Sequence, residues 1–367
     1  MKKINVYHIT SVHIRSDNRI FNKYCKNNSN DLDTNLVVFD GLGSTNSGGV
    51  NIIDLGFTKS FRFFRVLKNY LKLKNFLSSK KNSIFHFHDP ELILFIVFKY
   101  FISSSNKFVY DMHEEAPKQI LDNLERNFFL RYFLSLCVFI CEFTFLRFFD
   151  GCIGATPHIK GVLKNINHNV VGIYNYILKN EINHLNDANN YNLPLETVYI
   201  GGIDKLRGID IILDNVNSFS DIRFNIVGNF VDKTTENYCI NHPSWNKIKF
   251  HGYKGREYCK NLMSQCHIGL LLFKPARNHN NSLPNKLFEY LASDLFIIHT
   301  NFPSWKLYIK EDVGKGVSLD FKNYTFVMNS VVKLLLGLKK RINNNELIKK
   351  YTWESQEKIL INFYKEL

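Results

Sequence analysis

The sequence predicts an α/β protein with two Rossmann-like, doubly wound parallel sheets in tandem, and three observations carry that expectation. Throughout the first half, short runs rich in Val, Ile, Phe and Tyr alternate with stretches of helical spacing, the pattern of parallel strands joined by crossover helices. A polar, Asn-rich stretch interrupts the pattern around Gly172–Pro194. The alternation then resumes without any repeat in the sequence itself. A chain of 367 residues is long enough for about two domains.

Taken in order, the first strands are INVYHIT, NLVVFD, SIFHFH, KFVYDMH and DGCIGAT, and the second set is TVYIGG, RFNIVGN, KIKFHGY, HIGLLLF and LFIIHT. This divides the chain into a domain over 1–172, a linker over 173–195, a domain over 196–345 and a charged amphipathic helix over 346–367 that packs back toward the first domain. Such a pair of domains sets the carboxyl ends of two groups of strands across a cleft, the edge where open parallel sheets bind ligands. Two apolar stretches read as buried or half-buried helices rather than membrane spans. Residues 92–102 are too few and include Lys99, and residues 128–149 are interrupted by Arg131, Glu142 and Arg147. The start, Met1-Lys2-Lys3 and a seven-residue run containing Asn5 and His8, reads as a first strand and not as an export signal.

Composition narrows the function classes. With 45% hydrophobic and 22% charged residues the chain can fill sizeable cores, which excludes a disordered or fibrous protein. Seven cysteines, an odd number with no CxxC pair, fit a reducing cytoplasm better than a disulfide scaffold. The net charge of +14 favours an anionic partner. In the first 172 residues the excess sits in one stripe. Between Leu55 and His88 there are eight bases and no acid, and Phe57, Phe61, Phe64, Leu67 and Leu71 recur at helical spacing among them. A basic helix of this kind either lies on an anionic bilayer or is an ordinary crossover helix with a solvated basic face.

Candidate site residues fall just after strands. In YIGGIDKLRG, Gly201 and Gly202 close a strand and Arg207-Gly208 opens a helix, so backbone and guanidinium can meet a phosphate. Gly228 closes the next strand, and Gly252 and Tyr253 follow another, placed to meet a planar base. In NSLPNKLFEYLAS, Asn281 or Ser282 is expected to cap a helix with Pro284 in its first turn; Lys286 and the helix amides form an anion site, and Glu289, one turn deeper, can accept from ribose hydroxyls. In the first half, His13, Arg15, Asp17 and Arg19 are expected to face the same edge as His88 and Asp89, with Asp111, His113 and Glu114 at the next strand's end. The HxHxD run has no further ligand cluster in the sequence, and Asp31-Leu32-Asp33 precedes a strand, so no metal site is expected. Walker A, GxGxxG and GxSxG patterns are absent.

Together TSVHIRSDNRIF, FHFHDPEL, YDMHEEAP, YIGGIDKLRG, FHGY and SLPNKLFEYLASDLFII resemble the retaining GT-B glycosyltransferases of family 4, in particular the bacterial enzymes of O-antigen, capsule and exopolysaccharide assembly. The motifs run in that family's order from residue 4 to about 320. The resemblance implies a nucleotide-sugar donor on the second domain, with a UDP-sugar favoured over a GDP-sugar, and a glycan acceptor, undecaprenyl-diphosphate-linked or other, on the first. It puts Arg207 on the diphosphate, Glu289 on the ribose and His113 on the transferred sugar, with donor contacts from Gly201, Gly202, Gly208, Gly228, Gly252, Tyr253, Asn281, Ser282, Leu283, Pro284 and Lys286. It assigns the acceptor to His13, Arg15, Asp17, Arg19, His88, Asp89 and Glu114. Asn281 stands where the family has the first glutamate of its EX7E motif, and the Gly201-Gly202 pair stands where it often has an Arg. No cofactor or metal is expected, and the expected location is cytoplasmic, peripheral on the inner face of the membrane. Rival readings are an epimerase or sugar phosphorylase of the same build, and a nucleic-acid-binding protein; the last is disfavoured because the phenylalanines among the bases fall on a helix face and no RNA-binding motif is present.

Overall fold

The computed structural model describes residues 3–26, 31–57, 62–122, 127–182, 191–338 and 340–367. In chain order the first elements are β1 (Ile4–Ile9), β2 (Leu32–Val38), β3 (Thr45–Ser47), β4 (Val50–Asp54), α1 (Arg62–Ser78), β5 (Ser83–Phe87), β6 (Lys107–Met112), α2 (Ala116–Asp122), α3 (Phe128–Phe145), β7 (Gly151–Gly154), α4 (Pro157–Lys164) and β8 (Val170–Gly172). They continue with β9 (Leu195–Ile200), α5 (Ile209–Asn215), β10 (Ile222–Val227), α6 (Lys233–Ile240), β11 (Ile248–Phe250), α7 (Arg256–Gln265), β12 (Ile268–Leu271) and α8 (Asn285–Ala292). The last are β13 (Phe296–Thr300), β14 (Gly314–Val317), α9 (Tyr324–Gly337), α10 (Asn345–Ile348) and α11 (Trp353–Glu366).

These elements form two α/β units. The first comprises Met1–Asn175 and Trp353–Leu367, the second Tyr176–Thr352. The first sheet has the order β3-β4-β2-β1-β5-β6-β7-β8 and is parallel except for the β3–β4 hairpin at its edge. The second, β11-β10-β9-β12-β13-β14, is parallel throughout. Strands buried on both faces need apolar residues at every position, which is why the central strands read as continuous Val, Ile and Phe runs. The strands that no apolar run announced, β3, β4, β8 and β14, lie toward the sheet edges and carry Gly, Asn or Lys.

The final segment is not one helix over 346–367. Residues after α10 break the helix, and α11 begins at Trp353 and belongs to the first unit. There the Trp353 ring meets Tyr24 edge-on at 5.2 Å, the Tyr174 N–H donates to Gln356 Oε1 at 2.9 Å, and the Phe363 ring fills the space over Gly151.

One layer on the first sheet consists of α1, a 3-10 helix over Pro90–Phe101, and α3 with the 3-10 turn Leu146–Phe148 that follows it, which together bury Tyr70, Leu73, Phe95 and Leu146 against Phe85, Phe87, Phe108 and Tyr110. The Pro90–Phe101 helix is half-buried, as expected: Leu92, Ile93 and Ile96 face the core while Leu94, Val97 and Phe101 face outward. Helix α3 corrects the expectation. Its buried residues are Ser135 and Glu142, and Phe129, Phe133, Leu136, Phe139, Ile140 and Phe143 are exposed. The basic stripe on α1 is also turned around. Its buried line is Tyr70, Leu73 and Leu77, whereas Phe57, Leu67 and Leu71 are exposed. Lys59 and Phe61 of that stripe lie outside the described residues, as do the side chains of Arg62 and Phe64.

Candidate functional site

In the second unit the carboxyl ends of β9, β10 and β11 are tied together by their own backbone. The Gly201 N–H donates to Val227 O at 3.0 Å, Gly228 N–H to Gly252 O at 2.9 Å, and Ile203 N–H to Asn229 O at 2.8 Å. Gly228 has φ of 147°, and a Cβ there would stand 1.8 Å from Gly201 O, so only glycine permits this approach. Gly208 is equally constrained. It starts α5 at φ of 85°, with a Cβ position 2.3 Å from Leu272 O. The three turns open on a cavity of about 520 Å3, a size suited to a nucleotide-like ligand.

Of the residues singled out by sequence, Gly201, Gly202, Gly228, Tyr253, Lys286 and Glu289 line that cavity. Arg207, in a 3-10 turn over Lys205–Arg207, reaches back over the glycine pair; its Nη1 stands 3.1 Å from where a Gly202 Cβ would be. Among the described residues no carboxylate pairs with Arg207, and its guanidinium lies 5.8 Å from the Phe273 ring centre. Of the other cations nearby, Lys286 pairs with Glu289, Arg256 with Glu181 and Lys274 with Asp210, while Lys260 donates to Asn180 O at 3.2 Å and Lys254 lies over the Tyr258 ring at 5.2 Å. Gly252 is not among the cavity-lining residues; its carbonyl accepts from the Gly228 N–H and orders that turn.

The start of α8 differs from expectation. Pro284 is itself the extended residue before the helix, which begins at Asn285, and it accepts from the Leu287 N–H at 3.1 Å. Ser282 is not a cap: its hydroxyl donates to His279 O at 2.9 Å and its carbonyl accepts from Trp305 Nε1 at 2.8 Å. Asn281, Ser282, Leu283 and Pro284 are not among the cavity-lining residues. Lys286 is still in the first helical turn and Glu289 one turn on, and Tyr290 ties the helix to β9, its hydroxyl oxygen accepting from the Ile200 N–H at 3.0 Å. Sequence reasoning missed Ile177 and Glu181, which it placed in the linker, and Asn229, Lys254, Arg256, Glu257 and Lys260. The signal available was the basic run that follows FHGY, directly after a strand end.

In the first unit the strand register assembles a second polar group. β1 pairs with β5 so that His8 lies beside His86, and His88 and Asp111 extend from the ends of β5 and β6. His8 Nδ1 and His88 Nε2 are 3.1 Å apart, His88 Nδ1 and His113 Nε2 3.2 Å, and His113 Nε2 and Asp111 Oδ2 3.1 Å. Burial holds the His8 and His86 imidazoles well below their ordinary range and pulls His88 down to about 4. Burial would raise the Asp111 carboxyl, but Arg19, His113 and His88 overrule it and keep it well below the carboxylate range. Arg19 is fully enclosed, bidentate to Asp111 at 2.9–3.2 Å and donating to Ile173 O at 2.9 Å.

This corrects two expectations. The HxHxD run is not isolated, because neighbouring strands bring His8, Asp111 and His113 to it, and either His8, His86 and His88 or His88, Asp111 and His113 are close enough to share a cation. The positive charge beside Asp111 in this structure comes from Arg19. Nor do the four polar groups of the first loop face one edge. Arg19 points into the unit, and Arg15 forms a two-point ion pair with Asp40 at 2.5 and 2.7 Å. His13 and Asp17 do come together at 3.6 Å, with His13 3.4 Å from the buried Asp89. The Asp17 hydrogen bond raises the His13 pKa against the effect of burial. His88 and Asp89 are themselves buried, so His13, Asp17 and His113 are the members of the group that keep some exposure, while Glu114 is exposed.

No protein-family model and no curated protein sequence matches the chain. Solved structures do. Sucrose-phosphate synthase from Thermosynechococcus elongatus superposes with a TM-score of 0.76 at 12% identity, over 99% of both chains. A glycosyltransferase from Rickettsia africae gives 0.67 at 13% identity over 100% of this chain and 99% of that one. The fold is GT-B. Anabaena HepE in complex with UDP-glucose matches this GT-B chain with a TM-score of 0.68 at 9% identity, over 99% of it and 100% of HepE. At these identities the likeness is one of fold.

Proposed function

We propose that this GT-B protein is a retaining glycosyltransferase. It moves a hexose or N-acetylhexosamine from a nucleoside-diphosphate sugar, a UDP-sugar in preference to a GDP-sugar, to a glycan acceptor carried on undecaprenyl diphosphate or a similar lipid, in assembly of a bacterial surface polysaccharide. The observation that carries the reading is Arg207, a guanidinium with no carboxylate partner among the described residues, held over a glycine turn at the edge of a nucleotide-sized cavity. The UDP-glucose complex of HepE, a protein of the same fold, supports the donor class.

Cleaving a sugar–diphosphate bond builds negative charge on the leaving phosphate and positive charge at the anomeric carbon. Arg207 stabilises the leaving group electrostatically, and Lys286 joins it when the diphosphate draws its ammonium from Glu289, leaving that carboxylate to accept from the ribose hydroxyls. The acceptor hydroxyl attacks on the face the phosphate leaves, its proton passing to the departing oxygen, which retains configuration without an enzymic nucleophile or a metal. His113 is assigned to the transferred sugar, and His13 and Asp17 to the acceptor. Incubating the protein with UDP-hexoses and lipid-linked acceptors tests this directly. A glycosylated product whose yield falls at least about a hundredfold in Arg207→Ala supports the reading; a rearranged nucleotide sugar formed without acceptor replaces it with the epimerase.

A further inference from the structure

Helix α3 turns its large aromatic side chains away from its own protein. The line that faces inward mixes the half-buried Leu134, Val138, Cys141 and Phe145 with three polar residues: Arg131 donates to Leu121 O at 3.3 Å, Ser135 to Pro117 O at 3.0 Å, and Glu142 is 6% exposed. The line that faces away, Phe129, Phe133, Leu136, Ile140 and Phe143, recurs at spacings of four and three, with Phe129 79% and Phe133 63% exposed. A helix stabilised only by water on its outer side has the opposite pattern. Exposed apolar residues of the neighbouring elements extend the surface. The Pro90–Phe101 helix packs against both α1 and α3 and turns out Leu94, Val97 and Phe101, and α1 turns out Leu67 and Leu71.

The charge on this layer is mostly of one sign: the Pro90–Phe101 helix has a single acid, the half-buried Glu91 in its first turn, which accepts from the Ser11 hydroxyl at 2.7 Å. Helix α1 contains no acid, and over Phe128–Phe148 the one acid is Glu142, buried and raised to about 8 first by burial and then by Glu115, so at neutral pH it is mostly uncharged. Lys68 is exposed, Lys74 lies over Phe98 and Phe101 at 5.5 and 5.1 Å, and Arg147 over Phe143 at 5.0 Å. Cations thus hang from an aromatic surface, the arrangement that lets apolar groups enter acyl chains while charges meet headgroups.

We propose that this outer surface of α1, the Pro90–Phe101 helix and α3 lies flat on an anionic lipid bilayer. The 21 residues Phe128–Phe148 are long and apolar enough to cross one, but packing on α2, the inward Ser135 and Glu142, and the entry of the chain into β7 directly afterwards keep the helix on the protein, parallel to the surface it meets. A second copy of the chain is a poorer occupant, since joining two such faces would bring Arg and Lys against Arg and Lys. The surface goes beyond the donor reading and does not depend on it.

Cosedimentation of the full chain with vesicles tests the assignment. The protein is expected to pellet with phosphatidylglycerol-containing vesicles and not with pure phosphatidylcholine, less so at high salt, and a dye on Cys137, the one exposed cysteine, is expected to shift to the blue on the anionic vesicles. The triple variant Phe129→Ser, Phe133→Ser, Ile140→Ser should lower partitioning at least about tenfold with its melting temperature unchanged; stabilisation by UDP, read in parallel, reports on the donor cavity separately. Absence of binding to anionic vesicles, or equal binding by the triple variant, overturns the proposal. So does a solution dimer that the triple variant dissociates, which would give the face to a second copy.

Discussion

Arg207 matters because its charge has no carboxylate partner among the described residues, while Lys286, Arg256 and Lys274 each have one. A charge-assisted contact of this kind contributes roughly 1.5–3 kcal/mol, so Arg207→Ala should weaken nucleoside diphosphate binding about ten- to hundredfold, with Arg207→Lys recovering part of it; calorimetric titration of both variants reads this. Gly228 offers a test of geometry alone. Adding a methyl group 1.8 Å from Gly201 O forces the two strand-end turns apart, and Gly228→Ala should cost about 3 kcal/mol or more of stability and abolish nucleotide binding, measured by denaturant unfolding and titration. At this scale much of the site was legible. Glycines after strands and a Lys–Glu pair early in a helix have positions that local pattern determines. Arg256 and Glu181 were not legible because they meet only through the fold, 75 residues apart in the chain. Arg19 was misplaced for a similar reason: its partner Asp111 comes from another strand, and no local pattern says that the pair is enclosed.

Helix α3 was recognisable as a helix from its length and apolar content, but its orientation was not, because abundant phenylalanine is ordinarily a sign of burial. The direction of its three polar residues settles the matter, and Glu142 gives it a measurable consequence. Its folded-state pKa of about 8 lies above the ordinary carboxyl value of 4.5, so between those values the folded protein holds a proton that the unfolded chain has released. Stability should therefore fall as pH rises from about 4.5 to about 8 and level off above. Glu142→Gln keeps the shape without the ionisation and should be the more stable protein at pH 8 by an amount of the order of 3 kcal/mol, the two converging near pH 5 in urea unfolding. The α1 stripe shows the same limit. Its helical period was plain in the sequence, and the direction it faces was not, since Tyr70, Leu73 and Leu77 supply a competing apolar line with equally good spacing.

At the scale of the molecule, two parallel sheets with their helices were readable from alternation, and the return of α11 to the first unit was fixed by contacts no local pattern contains: Trp353 on Tyr24, and Tyr364 beside His86. The His8–His86–His88 group likewise exists only once β1 and β5 are in register. The account's central claim is that the second unit holds a nucleoside diphosphate between the glycine turns, Arg207 and α8. Calorimetric titration of the full chain with UDP, GDP and ADP tests it most directly. One of the three, UDP first, should bind at one site per chain and lose at least about tenfold in affinity in Arg207→Ala; failure of all three to bind, or binding that Arg207→Ala leaves unchanged, would contradict it.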